Sequence, residues 1–197
     1  MAWFVFLFVV VNALTTIAQR SDRDSWQQPE QIIDSLGITS GMIIGEAGAG
    51  EGYFTFHLSK RVGENGKVYA NDIDKRALQK LNDRAKGEGV HNITTVVGEV
   101  DDPLFPTRNL DCVLMMMAFH DFEKPVEWMK NVARYMKADA FLAIVDADPE
   151  KVRSDRSHFM TKEKVFATMQ KTDFALARLL TFLERDNIYV FKRRNDR

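Results

Sequence analysis

Along most of the chain, short apolar runs alternate with amphipathic stretches. The runs Met42–Gly45, Val68–Ala70, Ile93–Val97, Leu110–Met116 and Phe141–Val145 have the length of buried strands. Between them, apolar residues recur at helical spacing: Phe54, Leu58 and Val62; then Leu78, Leu81 and Ala85; then Val126, Met129, Ala133 and Met136. A shorter helix signal precedes all of these, with Pro29 in its first turn, Ile32, Ile33 and Leu36 on one face, and Gly37 as its stop. Strands alternating with helices predict a parallel sheet with crossover helices on its faces. Toward the C-terminus, Val165, Phe166 and Met169 mark one more helix. Phe174–Leu180 and Ile188–Phe191 then read as two strands joined by the polar turn Glu184–Asn187, a connection so short that the pair must be antiparallel. The expected fold class is therefore α/β, a doubly wound, mostly parallel seven-stranded sheet closed by an antiparallel C-terminal hairpin.

The first residues follow another rule. Trp3 to Val11 is wholly apolar, and the run continues to Ala18 before Gln19 and Arg20. Thr16 and Ala18 are small residues in the −3 and −1 places of a cleavage site, so residues 1–18 read as a secretory signal peptide, with export as the expected address. The alternative is a membrane anchor with a cytosolic domain, favoured by Arg20 and Arg23 lying after the apolar run. A helix of that length reaches only ~24 Å, short of a ~30 Å hydrocarbon core. Any membrane contact is thus expected through the N-terminal segment alone. Residues 19–25 read as a polar linker, 26–192 as one domain, and 193–197 as a solvated basic tail.

Composition narrows the function. The chain has 197 residues, 45% of them hydrophobic, and a folded part of ~180 residues buries roughly 70% of its unfolded surface, enough for a core without staples. With 27 Lys and Arg against 28 Asp and Glu, the net charge is −1, which lacks the basic footprint of a nucleic-acid binder. The single cysteine, Cys112, excludes an internal disulfide and a cysteine-rich zinc site, and its mid-strand place predicts a small buried apolar residue.

The most informative stretch is Gly45-Glu46-Ala47-Gly48-Ala49-Gly50-Glu51-Gly52-Tyr53, where the first strand runs into glycines and then into a helix. Glycines 48, 50 and 52 let backbone approach a ligand closely, and the helix start offers unpaired N–H groups, so a nucleotide-like ligand is implied. A dinucleotide fingerprint needs a small residue where Tyr53 stands. Glu46 would repel a pyrophosphate but suits a ligand carrying an ammonium group. These two residues disfavour a nicotinamide oxidoreductase and favour an amino-acid nucleoside. At the end of the second strand, Asp72 stands where a carboxylate accepts both ribose hydroxyls. Ile73 is placed to pack on an adenine, and Glu99, after the third strand, to meet the exocyclic amine of the base.

Taken together, these motifs resemble the class I S-adenosylmethionine-dependent methyltransferases over roughly Trp26 to Lys192. More narrowly, the run from Trp26 and Pro29 through Gly52-Tyr53-Phe54 to Asp72-Ile73-Asp74 is similar to a branch of small, often signal-bearing members. The resemblance implies a Rossmann-like fold and S-adenosylmethionine as cofactor. It places the methionine end on Glu46, Gly48, Ala49, Gly50 and Gly52, the ribose on Asp72, and the adenine on Ile73, Glu99 and Val100, with Met116 completing the cofactor set. Two departures stand out: Glu46 replaces a usual Asp, and Lys137-Ala138-Asp139-Ala140 replaces the usual glycine-bearing turn before the fifth strand.

Methyl transfer is an in-line displacement that gains much of its rate from alignment, so few catalytic side chains are required. In open α/β sheets the ligand crevice lies beyond the carboxyl ends of the strands, which nominates Met116 to Asp121 for the acceptor side. There, His120 is the candidate general base. Arg153, Arg156 and His158, in a polar loop, are candidates for binding an anionic group. Asp146 and Asp148 show no spacing diagnostic of a metal, and no metal is expected. The expected activity is methyl transfer from S-adenosylmethionine to a small-molecule acceptor, and its rival from another class is a non-catalytic binding module on the same fold.

Overall fold

The computed structural model of the chain describes residues 23–152 and 157–194. The expected signal segment, Arg153 and Arg156 lie outside the described residues, as does the end of the tail. No helix among the described residues is long and apolar enough to cross a membrane.

Seven strands form one sheet: β1 (Ile43–Ala47), β2 (Lys67–Asp72), β3 (Ile93–Val97), β4 (Leu110–Met116), β5 (Met136–Ala147), β6 (Phe174–Leu180) and β7 (Asp186–Arg193). Their spatial order is β3-β2-β1-β4-β5-β7-β6. The first five are mutually parallel, and β7 runs antiparallel to both β5 and β6. The order reverses direction at β1, whose neighbours β2 and β4 begin the two halves of the sheet, and at that switch point a crevice opens beyond the carboxyl ends of the strands.

The helices are α1 (Pro29–Leu36), α2 (Tyr53–Val62), α3 (Lys75–Gly87), α4 (Pro125–Val132) and α5 (Lys162–Met169). On one face of the sheet, Ile32, Ile33 and Leu36 of α1 and Phe54, Leu58 and Val62 of α2 pack against Ile44, Val68, Leu114 and Val145. On the other, Trp128, Met129 and Val132 of α4 and Val165 and Met169 of α5 cover Val113, Met115, Leu142 and Ile144. The inward faces match the periodicity of α1, α2 and α3. Cys112 is fully buried in the sheet, as its mid-strand place implied.

Four boundaries differ from the sequence expectation. Helix α4 ends at Val132 and a 3-10 turn follows at Ala133–Tyr135, so its core face is Trp128, Met129 and Val132 rather than the row from Val126 to Met136. The stretch Lys137–Ala140 is not a turn but the opening of β5. It contains no glycine or proline to bend it, Lys137 Nζ pairs with Asp111 Oδ1 at 2.5 Å, and a register shift between Leu110 and Cys112 absorbs the irregularity. Residues 23–27 are helical, so the domain takes in Arg23, Asp24 and Ser25, which had read as linker. Their polarity is spent on the fold: Tyr53 Oη donates to Asp24 Oδ1 at 2.6 Å, and the Arg23 guanidinium lies 3.6 Å from the centre of the Tyr53 ring. Finally, Arg193 belongs to β7 and donates to the carbonyls of Ala133, Met136 and Lys137, so it is not part of a solvated tail.

Candidate functional site

The crevice beyond β1, β2 and β4 has two compartments that share Gly48 and Met117 in their walls. One is a groove of about 600 Å³ lined by Arg23, Glu46, Ala49, Gly50, Tyr53 and Met116, among others. The other is a cavity of about 310 Å³ bounded by Asp72, Ile73, Glu99, Val100, Asp121, Phe122 and Trp128, among others. Two compartments joined at a glycine suit an elongated ligand with chemically different ends.

The loop between β1 and α2 is built on close approach. Gly48 has φ of +73°, and a Cβ there would collide with the Cβ of Ala118 from the neighbouring strand end. Ala49 N–H donates to Asn71 O at 3.0 Å, and Gly50 N–H donates to Asp72 Oδ2 at 2.8 Å, which pins the loop to the end of β2. Asp72 Oδ1 in turn accepts the N–H of Asp74 at 2.9 Å. Gly52 lines neither compartment. At φ of +86° it caps α2, and a Cβ there would stand 2.7 Å from Leu81 Cγ, so this glycine serves helix packing against α3 rather than direct ligand contact.

Glu46 is buried, and its Oε2 accepts the Thr55 hydroxyl at 2.5 Å. Burial pushes its carboxyl up to about 8, the nearby Asp72 adds to the rise, and the Thr55 hydrogen bond and the Arg23 charge hold it back. A buried acid left nearly neutral beside a groove is poised to ionise when a cation arrives. Arg23 lines the same groove and offers a positive group a short way from that acid. Sequence reading placed Arg23 in a linker, and nothing in its neighbours signals its return to the site.

In the second compartment Ile73 is 58% exposed, an apolar face turned to the cavity rather than to the core. Asn71 Nδ2 donates to Pro103 O at 2.7 Å and to Val96 O at 3.3 Å, tying the segment after β3 to the end of β2 and so setting Glu99 and Val100 in the wall. Met117 adopts φ of +53°, a left-handed conformation rare for its type, and its N–H donates to Val145 O at 2.8 Å. Such a bend is invisible in sequence, because it is imposed by the pairing of β4 with β5.

His120 stands behind this wall. Its side chain is 3% exposed, its Nδ1 lies 2.7 Å from Asp146 Oδ1, and its backbone N–H donates to Asp146 Oδ2 at 3.1 Å. Burial would lower the pKa of the imidazole, but the hydrogen bond and charge of Asp146, with the charge of Asp121, outweigh it and raise the value. The ring is packed edge-on between His158 and Phe159, with centroids 4.7 and 4.8 Å away. Asp146 is the penultimate residue of β5, while His120 follows β4. Adjacent parallel strands therefore join two residues 26 apart in sequence, a pairing that spacing had not revealed.

All of the expected cofactor residues except Gly52 line the crevice: Glu46, Gly48, Ala49, Gly50 and Met116 on one side, and Asp72, Ile73, Glu99 and Val100 on the other, with Gly48 common to both.

Comparison with known proteins identifies the family and the fold. Residues 38–189 match a family described as methyltransferase domain. The ubiquinone/menaquinone biosynthesis C-methyltransferase of Escherichia fergusonii is 24% identical over 115 residues, 58% of this chain but 46% of that protein. The chain thus spans less than half the length of that relative. Among solved structures, a SAM-dependent methyltransferase from Aquifex aeolicus superposes with a TM-score of 0.81 at 23% identity, covering 86% of this chain and 91% of the other. Geranyl diphosphate C-methyltransferase from Streptomyces coelicolor A3(2), solved with Mg2+, geranyl diphosphate and S-adenosyl-L-homocysteine, superposes with a TM-score of 0.67 at 12% identity, covering 88% and 82%.

Proposed function

This chain belongs to the methyltransferase-domain family and carries the class I S-adenosylmethionine-dependent fold, and from that premise we propose that it transfers the methyl group of S-adenosylmethionine to a small-molecule acceptor. The observation that carries the reading is the shared wall at Gly48 and Met117, which joins a groove holding opposite charges to a cavity bearing a ribose-type carboxylate and an exposed apolar face. The cofactor is a zwitterionic amino acid linked to adenosine, and each part has a counterpart here. Glu46 receives the ammonium group, Arg23 the carboxylate, Asp72 the ribose hydroxyls, Ile73 one face of the adenine, and Glu99 with Val100 its edge.

The bound sulfonium supplies an activated methyl group. The protein's own contribution is placement: the glycine loop, held by the Gly50 to Asp72 hydrogen bond, presents backbone without side chains, and Met117 fixes the partition between the compartments. Beyond the groups assigned to adenosine, Asp121 and Glu123 line the cavity, and among the described residues no Lys or Arg does. That wall favours a neutral or cationic acceptor over an anionic one. His120 receives no proton-transfer role in this reading, because its ring is buried and lines neither compartment. The apolar segment 1–18 is read as an export or anchoring signal preceding the domain.

Calorimetric titration of the domain with S-adenosylmethionine, S-adenosylhomocysteine and NAD tests the proposal. Micromolar binding of both sulfur nucleosides and none of NAD supports it. Binding of neither by folded protein sinks it, and binding of NAD alone returns the oxidoreductase. Tight binding with no methyl transfer to any of a panel of amines, phenols and enolisable carbonyl compounds would favour the non-catalytic module.

A further inference from the structure

We propose that His120, Asp121 and His158 form a binding site for a divalent transition-metal ion of the zinc class. The three side chains come from two segments, the turn after β4 and the loop before α5, yet one donor atom from each lies within 4.8 Å of the other two. His120 Nε2 is 3.5 Å from Asp121 Oδ2, and His158 Nε2 is 3.7 Å from Asp121 Oδ1. Donors bound at about 2.0 to 2.1 Å in a tetrahedral shell sit roughly 3.3 Å apart, so closure requires only small rotations. Asp121 and His158 are 66% and 47% exposed and have the freedom to make them.

A second observation points the same way. Asp146, 3% exposed, lies 2.7 Å from His120 Nδ1 and so turns Nε2 toward Asp121, where a metal ion would take the place of any proton that Nε2 carries. A histidine whose far nitrogen is held by a buried carboxylate is the arrangement that orients metal-bound imidazoles. Two imidazoles and one carboxylate suit zinc, cobalt or iron(II) better than calcium or magnesium, which take oxygen shells. Three protein ligands leave a position open, and Asp121 also borders the cavity, so a bound ion would meet an acceptor there. Metal binding itself does not depend on methyl transfer and would stand if that reading failed.

The test uses the full chain, stripped with chelator and titrated with Co2+ and then Zn2+. Visible d–d absorption that saturates at one ion per chain and is bleached by Zn2+ is expected. His158→Ala and Asp121→Ala, both at exposed positions, should each weaken Zn2+ binding at least 100-fold while the circular dichroism spectrum and unliganded melting temperature stay unchanged. Asp146→Asn should weaken it on the order of 10- to 100-fold. Absence of Co2+ absorption and of Zn2+ binding in the wild-type chain overturns the site, as does Zn2+ affinity that survives in His158→Ala and Asp121→Ala.

Discussion

The carboxylate of Asp72 accepts the backbone N–H of Gly50 at 2.8 Å, so the group proposed to hold the ribose also fixes the loop beneath the methionine end. Removing it therefore damages both ends of the cofactor site. Asp72→Ala should weaken S-adenosylhomocysteine binding by on the order of 100-fold or more, since hydrogen bonds to a charged group contribute about 1.5 to 3 kcal/mol each. Asp72→Asn keeps an oxygen for Gly50 and should lose less. Equal losses in the two variants by calorimetry would show that the charge, not the loop tether, dominates.

Gly48 and Gly50 both have positive φ but different surroundings. A Cβ at Gly48 meets Ala118, whereas one at Gly50 meets nothing within 4 Å. Gly48→Ala should cost roughly 2 to 4 kcal/mol, from left-handed strain plus overpacking. Gly50→Ala should cost about 1 to 2 kcal/mol from strain alone, yet place a methyl group in the groove. Denaturant unfolding should rank Gly48→Ala as the less stable, and Gly50→Ala should lose cofactor affinity out of proportion to its stability.

Glu46 titrates near pH 8 in the free protein because of burial, and the cofactor's ammonium would favour its ionised form. Below pH 8, binding should then release a proton, and affinity should climb as pH rises, by at most about tenfold per unit, and level off above pH 8. Calorimetry at pH 7 in buffers of different ionisation enthalpy should show that proton. Glu46→Gln should abolish both the buffer dependence and the slope. A flat affinity from pH 6 to 8 in the wild-type chain would remove Glu46 from the ammonium site.

Asp186, at the start of β7, is buried with its Oδ1 unpartnered among the described residues. Burial raises its carboxyl from 3.8 to about 6, opposed by Arg185. Its contribution to stability is therefore fully present below pH 3.8 and lost as pH rises through about 6. Asp186→Asn, which cannot ionise, should be more stable than wild type at pH 8 by on the order of 2 to 3 kcal/mol, an advantage that fades by pH 4. Melting temperatures at the two pH values decide it; a gain that persists at pH 4 would point to packing rather than charge.

Strand and helix identities followed from local pattern. Runs of β-branched and apolar residues and the Gly37 stop act through their own backbone and immediate neighbours, and the glycines mark a loop by their number, so all can be read in order along the chain. The elements of the crevice were legible for the same reason: Glu46, Gly48, Gly50 and Asp72 sit at or just beyond strand ends at short, regular spacing. Gly48 and Gly52 also answer to distant residues, Ala118 after β4 and Leu81 on α3, which the motif does not show.

Local order in the chain decided the strands, their sequence and the half of the crevice that backbone and strand-end acids create. The tertiary fold alone decided where Arg23 returns, why Met117 bends, and that His120 meets Asp146 and faces His158. Those relationships arise where adjacent parallel strands bring distant loops to one edge, and no interval along a linear sequence encodes the distance between two such loops.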